Sequence, residues 1–142
     1  MNPPIRSEQD KLALIEGLKD GTIDMIATDH APHSKEEKSK GLEKSAFGIT
    51  GIEIAFPLVY THLVKKGIIT LKELVEKMSV NPRKRFNLAI NKEDYTVFEV
   101  ATEYQINSNE FISKGKSTPF DGEKVFGKCV LTVKNGKTIY SK

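Results

Sequence analysis

The sequence predicts an α/β region followed by a small β region, and three observations carry that prediction. A helical pattern over residues 7–19 runs almost directly into the short apolar stretch 23–28, which is the order of an α/β unit. Apolar residues recur at helical spacing between 52 and 79, whereas beyond Leu88 the pattern turns to alternation. The dipeptide Asn135-Gly136 then marks a two-residue hairpin.

Each element has a local reason. Met1 to Arg6 reads Met-Asn-Pro-Pro-Ile-Arg, an extended path because both prolines remove donors. Ser7 is an N-cap for a helix through Lys19, Gly21 stands just past its end, and Leu12, Ile15 and Leu18 form the expected buried stripe. Ile23 to Thr28 is expected to be a strand packed on both faces. Residues 30–51 make a long connection through a charged run at 35–40, and such loops are usually functional or disordered. Ile52 to Lys66 is helical, ended by Gly67, with Pro57 expected either to kink it or to mark where its regular part begins. Thr70 and Glu73 form a capping box for a helix over 71–79, and Asn81-Pro82 starts a last helical turn. Tyr95 to Val100, Val125 to Val133 and Lys137 to Tyr140 read as strands. The expected division is therefore 1–88 and 89–142.

Composition bounds the function. At 142 residues the chain fits one domain or two small ones, and 38% hydrophobic with 29% charged residues is an ordinary soluble composition rather than a disordered one. Lys plus Arg less Asp plus Glu is 22 − 19 = +3, an excess too small and too spread to point to nucleic acid. No apolar run approaches the roughly 18 residues of a membrane span, and no signal-peptide core is present, so no membrane partner is expected. The one cysteine, Cys129, excludes an internal disulfide and suits a reducing cytoplasm, the expected location.

The chemistry gathers in Thr28-Asp29-His30-Ala31-Pro32-His33. A carboxylate at the end of a buried strand, with two imidazoles within four residues, can bind a metal or move a proton. On spacing alone the stretch is equally compatible with Asp29 capping a turn while His30 and His33 decorate a loop. His62, the Arg83-Lys84-Arg85 run, Glu16 and Asp24 read as surface or capping groups, and Cys129 as a small buried residue of a strand.

The wider pattern favours chemistry. Met-Asn-Pro-Pro-Ile-Arg, a helix, Ile-Ala-Thr-Asp-His-Ala-Pro-His and then Phe-Gly-Ile-Thr-Gly-Ile-Glu resemble the C-terminal part of bacterial class I dihydroorotases. Ser79-Val80-Asn81-Pro82 and Thr118-Pro119-Phe120-Asp121-Gly122 agree, so the resemblance spans essentially the whole chain. It implies a fold made of the last βα units of a TIM barrel, followed by C-terminal strands of the small amidohydrolase β-sandwich domain. A complete barrel takes at least about 200 residues, so only part of one is expected here.

Those enzymes are zinc hydrolases that interconvert N-carbamoyl-L-aspartate and L-dihydroorotate in pyrimidine synthesis. The resemblance implies that Asp29 contacts zinc and shuttles a proton between a bridging hydroxide and the ring nitrogen. It implies that His33 and Asn2 bind the substrate carboxylate region, that the Phe47-Gly48 backbone bonds the substrate ring, and that His30 is structural. The family's His-x-His-x-Arg motif and further zinc ligands belong upstream of Met1. The chain alone is therefore expected to hold no stable zinc and to be inactive. Open strand edges and apolar helix faces predict a homo-oligomer. The alternative is a non-catalytic binding module docking on a partner such as aspartate transcarbamoylase.

Overall fold

The computed structural model describes residues 3–142. Helix α1, Glu8–Asp20, opens on the predicted Ser7 N-cap, which the structure completes as a capping box, with Ser7 accepting from the Asp10 amide and Asp10 accepting from the Ser7 amide, and closes on left-handed Gly21. Its apolar stripe is not buried as the periodicity predicts: no α1 residue is buried and Leu12 is 51% exposed, because no described element covers that face. Two short helices follow, α2 (Lys35–Lys38) and α3 (Gly41–Lys44).

Helix α4 covers residues 52–64. It begins as a tight turn over Ile52–Ile54, becomes regular over Ala55–Val59 and widens over Tyr60–Val64. Pro57 lies in the first turn of the regular part, where a missing N–H costs nothing. Helix α5 covers residues 71–85, opened by the Thr70–Glu73 capping box. The new start predicted at Asn81-Pro82 is instead a continuation, because the backbone widens to i→i+5 spacing over Glu76–Val80 immediately before the proline.

That widening explains the stretch 23–28. A strand was expected there, yet residues 24–29 form no ladder, because no neighbouring strand lies beside them among the described residues. Helix α5 supplies the bonds. Pro82 has no N–H for the Lys77 carbonyl five residues back, and the Ile26 amide donates to it at 3.0 Å. The buried Lys77 ammonium donates to the Ile23 carbonyl at 2.7 Å, Asn81 donates to the Asp24 carbonyl at 2.8 Å, and Arg85 meets the Asp24 carboxylate at 3.2 Å. The segment is thus extended and tethered to a helix rather than to a sheet.

The remainder is β-rich as predicted. Strands β1 (Tyr95–Glu99), β4 (Lys128–Lys134) and β5 (Lys137–Ser141) form an antiparallel sheet in the order β1-β4-β5, and β2 (Tyr104–Gln105) pairs with β3 (Lys124–Val125). The strand expected over 125–133 is split at Phe126-Gly127, where the backbone crosses the Phe56 ring to pass from one sheet to the other. Asn135 and Gly136, both at positive φ, form the predicted hairpin turn. The core joins helix to tail: Ile54 packs with Ile106 and Val125, flanked by Leu58, Tyr104, Phe111 and Phe120. Phe56 stacks on Phe98 with centroids 3.7 Å apart. Among the described residues no helix is long and apolar enough to cross a membrane.

Candidate functional site

The turn 29–33 leaves the extended segment at Asp29, which is exposed and adopts a left-handed φ of 46°. An Asp tolerates that conformation better than most residues, at a cost of order 1–3 kcal/mol. Two contacts lock the turn in place. The His30 Nδ1 atom accepts from the Gly51 and Ile52 amides, each at 3.2 Å, which are orphan donors at the start of α4. A ring nitrogen that accepts carries no proton, so Nε2 is the protonated position. The Ala31 amide also donates to the Ile49 carbonyl at 2.9 Å, as part of a parallel bridge between His30 and Ile49.

This pairing lays residues 46–50 against the turn. Gly48, at φ 117°, touches it so closely that a Cβ would stand 2.4 Å from Ala31 Cβ and 3.5 Å from His33 Cδ2. Lys38 donates to the Ala46 and Gly48 carbonyls at 2.8 and 2.9 Å, fixing the backbone on either side of the exposed Phe47. His33 Nδ1 lies 3.6 Å from a Glu37 carboxylate oxygen. Bonds from the Ser34 amide and hydroxyl, with His33 nearby, hold the Glu37 carboxyl below the usual carboxylate range. The fold therefore brings His33 and Gly48 together with Asp29 at the far end of the same turn. Asn2 lies outside the described residues.

Glu53, one residue into α4, anchors the tail on this arrangement. Its carboxylate accepts from the Ile112 amide at 2.7 Å, the Ser113 amide at 3.0 Å and the Ser113 hydroxyl at 2.6 Å. Burial pushes its carboxyl up, but those bonds, helped by Lys116, outweigh burial and hold it below the ordinary value. His62, read from sequence as a surface group, has Nε2 2.5 Å from Glu123 Oε1 and ties α4 to β3's approach.

Among the described residues no three His, Cys, Asp or Glu side chains converge well enough to hold a metal ion. Asp29 alone offers too few donors for zinc, which takes three or four protein ligands, so these residues do not by themselves fit the ion.

No family model matches the sequence. The chain is 51% identical over 148 aligned residues to the dihydroorotases of Bacillus thuringiensis (strain Al Hakam) and Bacillus cereus (strain AH187). The chain is similar to those dihydroorotases along its whole length. It spans 35% of the length of those dihydroorotases. Its fold matches L-hydantoinase (dihydropyrimidinase) from Arthrobacter aurescens with a TM-score of 0.89 at 31% identity, covering 100% of this chain and 34% of that one. The D-hydantoinase (dihydropyrimidinase) from Thermus sp. matches with a TM-score of 0.87 at 25% identity, over 99% of this chain and 33% of that one. The dihydroorotase resemblance carried by the Asp29–His33 motif thus extends to every element described above.

Three groups escaped sequence reasoning. Lys77 occupies the apolar face of α5, three residues from buried Leu74, and a lysine inside a buried stripe was its signal. Glu53 closes the Phe-Gly-Ile-Thr-Gly-Ile-Glu motif, although its partners lie 59 and 60 residues away. Lys38 sits in a run of charges that reads as solvated, and nothing local distinguishes it.

Proposed function

We propose that this chain supplies one wall of a dihydroorotase-type cyclic amide hydrolase, acting on dihydroorotate and N-carbamoyl-aspartate. The observation that carries the reading is the parallel pairing of the 29–33 turn with 46–50, which sets matched residues on one rim. In this reading residues 1–88 contribute the barrel part and 89–142 the small β part. Asp29, exposed at the turn's start, takes up and returns a proton as the ring amide opens and closes. His33 pairs with the substrate carboxylate, joined by Asn2, and the backbone at Phe47 and Gly48 bonds the ring amide. Zinc would need donors beyond those described, so in this reading the chain alone is inactive.

The test is dihydroorotate hydrolysis by the purified chain with added zinc, alone and mixed with the remaining two thirds of the Bacillus cereus relative. Hydrolysis only in the mixture, lost in Asp29→Asn, supports the reading. Hydrolysis by the chain alone, or a mixture indifferent to Asp29→Asn, overturns it.

The open faces favour self-association as well. Ile5, Leu12 and Leu14 are 61%, 51% and 42% exposed, and a second copy would cover them. Sedimentation as a dimer or larger is expected; a monodisperse monomer rejects it.

A further inference from the structure

The geometry points to the tail segment 111–118 as the positioning element of the 29–33 turn, with Gly115 as its contact point and Thr50 and Glu53 as its anchors. This rests on the reading of the turn as a substrate-binding rim. Gly115 is buried against the turn's backbone: a Cβ there would stand 2.5 Å from the Pro32 carbonyl carbon and 2.7 Å from the His33 carbonyl oxygen. Both contacts are backbone, so neither can swing aside as a side chain would.

The strap is fastened on both sides of that contact. The fully buried Thr50 donates its hydroxyl to the Gly115 carbonyl at 2.8 Å, and its amide donates to the Ser117 carbonyl at 2.8 Å. Glu53 takes three donors from Ile112 and Ser113, and Phe111 packs on the core cluster just before them. Thr50 and Glu53 also flank Gly51 and Ile52, whose amides His30 accepts. The start of α4 therefore holds the turn from one side through His30 and the strap from the other. His33, whose ring lies along Gly48, is set between them. A displaced strap shifts the His33 backbone while leaving the residue itself intact, and small displacements of a binding group are enough to change binding of substrate.

The experiment compares Gly115→Ala with Glu53→Gln and, as a control on the far sheet, Ile139→Ala. The first readout is two-dimensional amide NMR and hydrogen exchange on the purified chain. Gly115→Ala is expected to move the Ala31, His33 and Gly48 resonances and to speed exchange at Ala31 and Thr50 about tenfold or more. Glu53→Gln should do the same more weakly, and Ile139→Ala should leave the turn unchanged. The second readout is the reconstituted mixture, where Gly115→Ala should raise KM for dihydroorotate about tenfold with kcat changed far less. If Gly115→Ala does not fold, Glu53→Gln carries both readouts. A folded variant whose turn resonances and KM stay unmoved overturns the inference. A mixture inactive even with the unaltered chain counts against the proposed function alone, and the NMR comparison then decides the strap's role.

Discussion

Helix α1 and helix α4 both carry apolar residues at helical spacing, and they end in opposite environments. Helix α1 has an intact capping box and a left-handed glycine stop, yet buries nothing. Helix α4 has no side-chain cap of its own on its first turns, yet carries Ile54 into the core and receives both His30 and the tail. Local rules are sufficient to start and stop a helix, whereas burial depends on what the rest of the chain brings to its face. The same contrast separates the stretch 23–28, tethered by α5, from the self-paired hairpin β4–β5.

The largest expected effect tests that contrast directly. Ile54→Ala should destabilise by about 2–5 kcal/mol, since it leaves a cavity among buried residues, while Leu12→Ala should cost under about 1 kcal/mol. Urea denaturation of both variants reads the difference. Equal losses would mean that α1's face is covered in solution, and the proposed self-association would gain its interface.

Next in size is the tether of the extended segment. Lys77→Met removes a charged donor from the Ile23 carbonyl and should cost about 1–3 kcal/mol. Exchange at the Ile26 amide should rise with it, and an unchanged rate there would show that the Lys77 carbonyl, freed by Pro82, suffices to hold the segment.

The capping boxes of α1 and α5 give a third comparison. Thr70→Ala and Ser7→Ala should each cost about 1 kcal/mol locally. Only Thr70→Ala should lower the global denaturation midpoint, because α5 contributes buried Leu74 to the packed interior. A global loss from Ser7→Ala would contradict the picture of α1 as an uncovered element.

The smallest effects are in pH. Glu53 is held below its ordinary value, so it favours the folded state above that value and loses this as pH falls through the folded one. Acid titration of stability should therefore be shallower in Glu53→Gln. Tyr104 shifts the other way: burial, with Cys129 and Tyr140 adding to it, pushes its phenol up to about 12. Its contribution is complete below the ordinary value of 10.0 and disappears as pH rises through about 12, so Tyr104→Phe should flatten the alkaline limb.

Much of the local structure around the candidate site was legible from residues close together in the chain. The Asp29–His33 motif, the Ser7 cap, the Thr70–Glu73 capping box and the Asn135-Gly136 turn are short-range patterns, and each depends on geometry a few residues long. What packs against them was not legible. The strand expected at 23–28 needed a neighbour to pair with, and the stripe Leu12, Ile15, Leu18 needed a face to cover it; periodicity reports a residue's preference and not the presence of its partner. Lys77 acquires its role from a partner 54 residues away, Glu53 from partners 59 and 60 away, and Gly115 from one 65 away and from a backbone approach closer than any side chain allows. Local torsions and donors were enough to settle the helix starts at Ser7 and Thr70, the hairpin and the chemistry offered at the turn. That the tail packs on the turn and that α5 replaces a strand neighbour emerged from the fold alone, because a hydrogen bond or a packed contact exists only where distant segments meet.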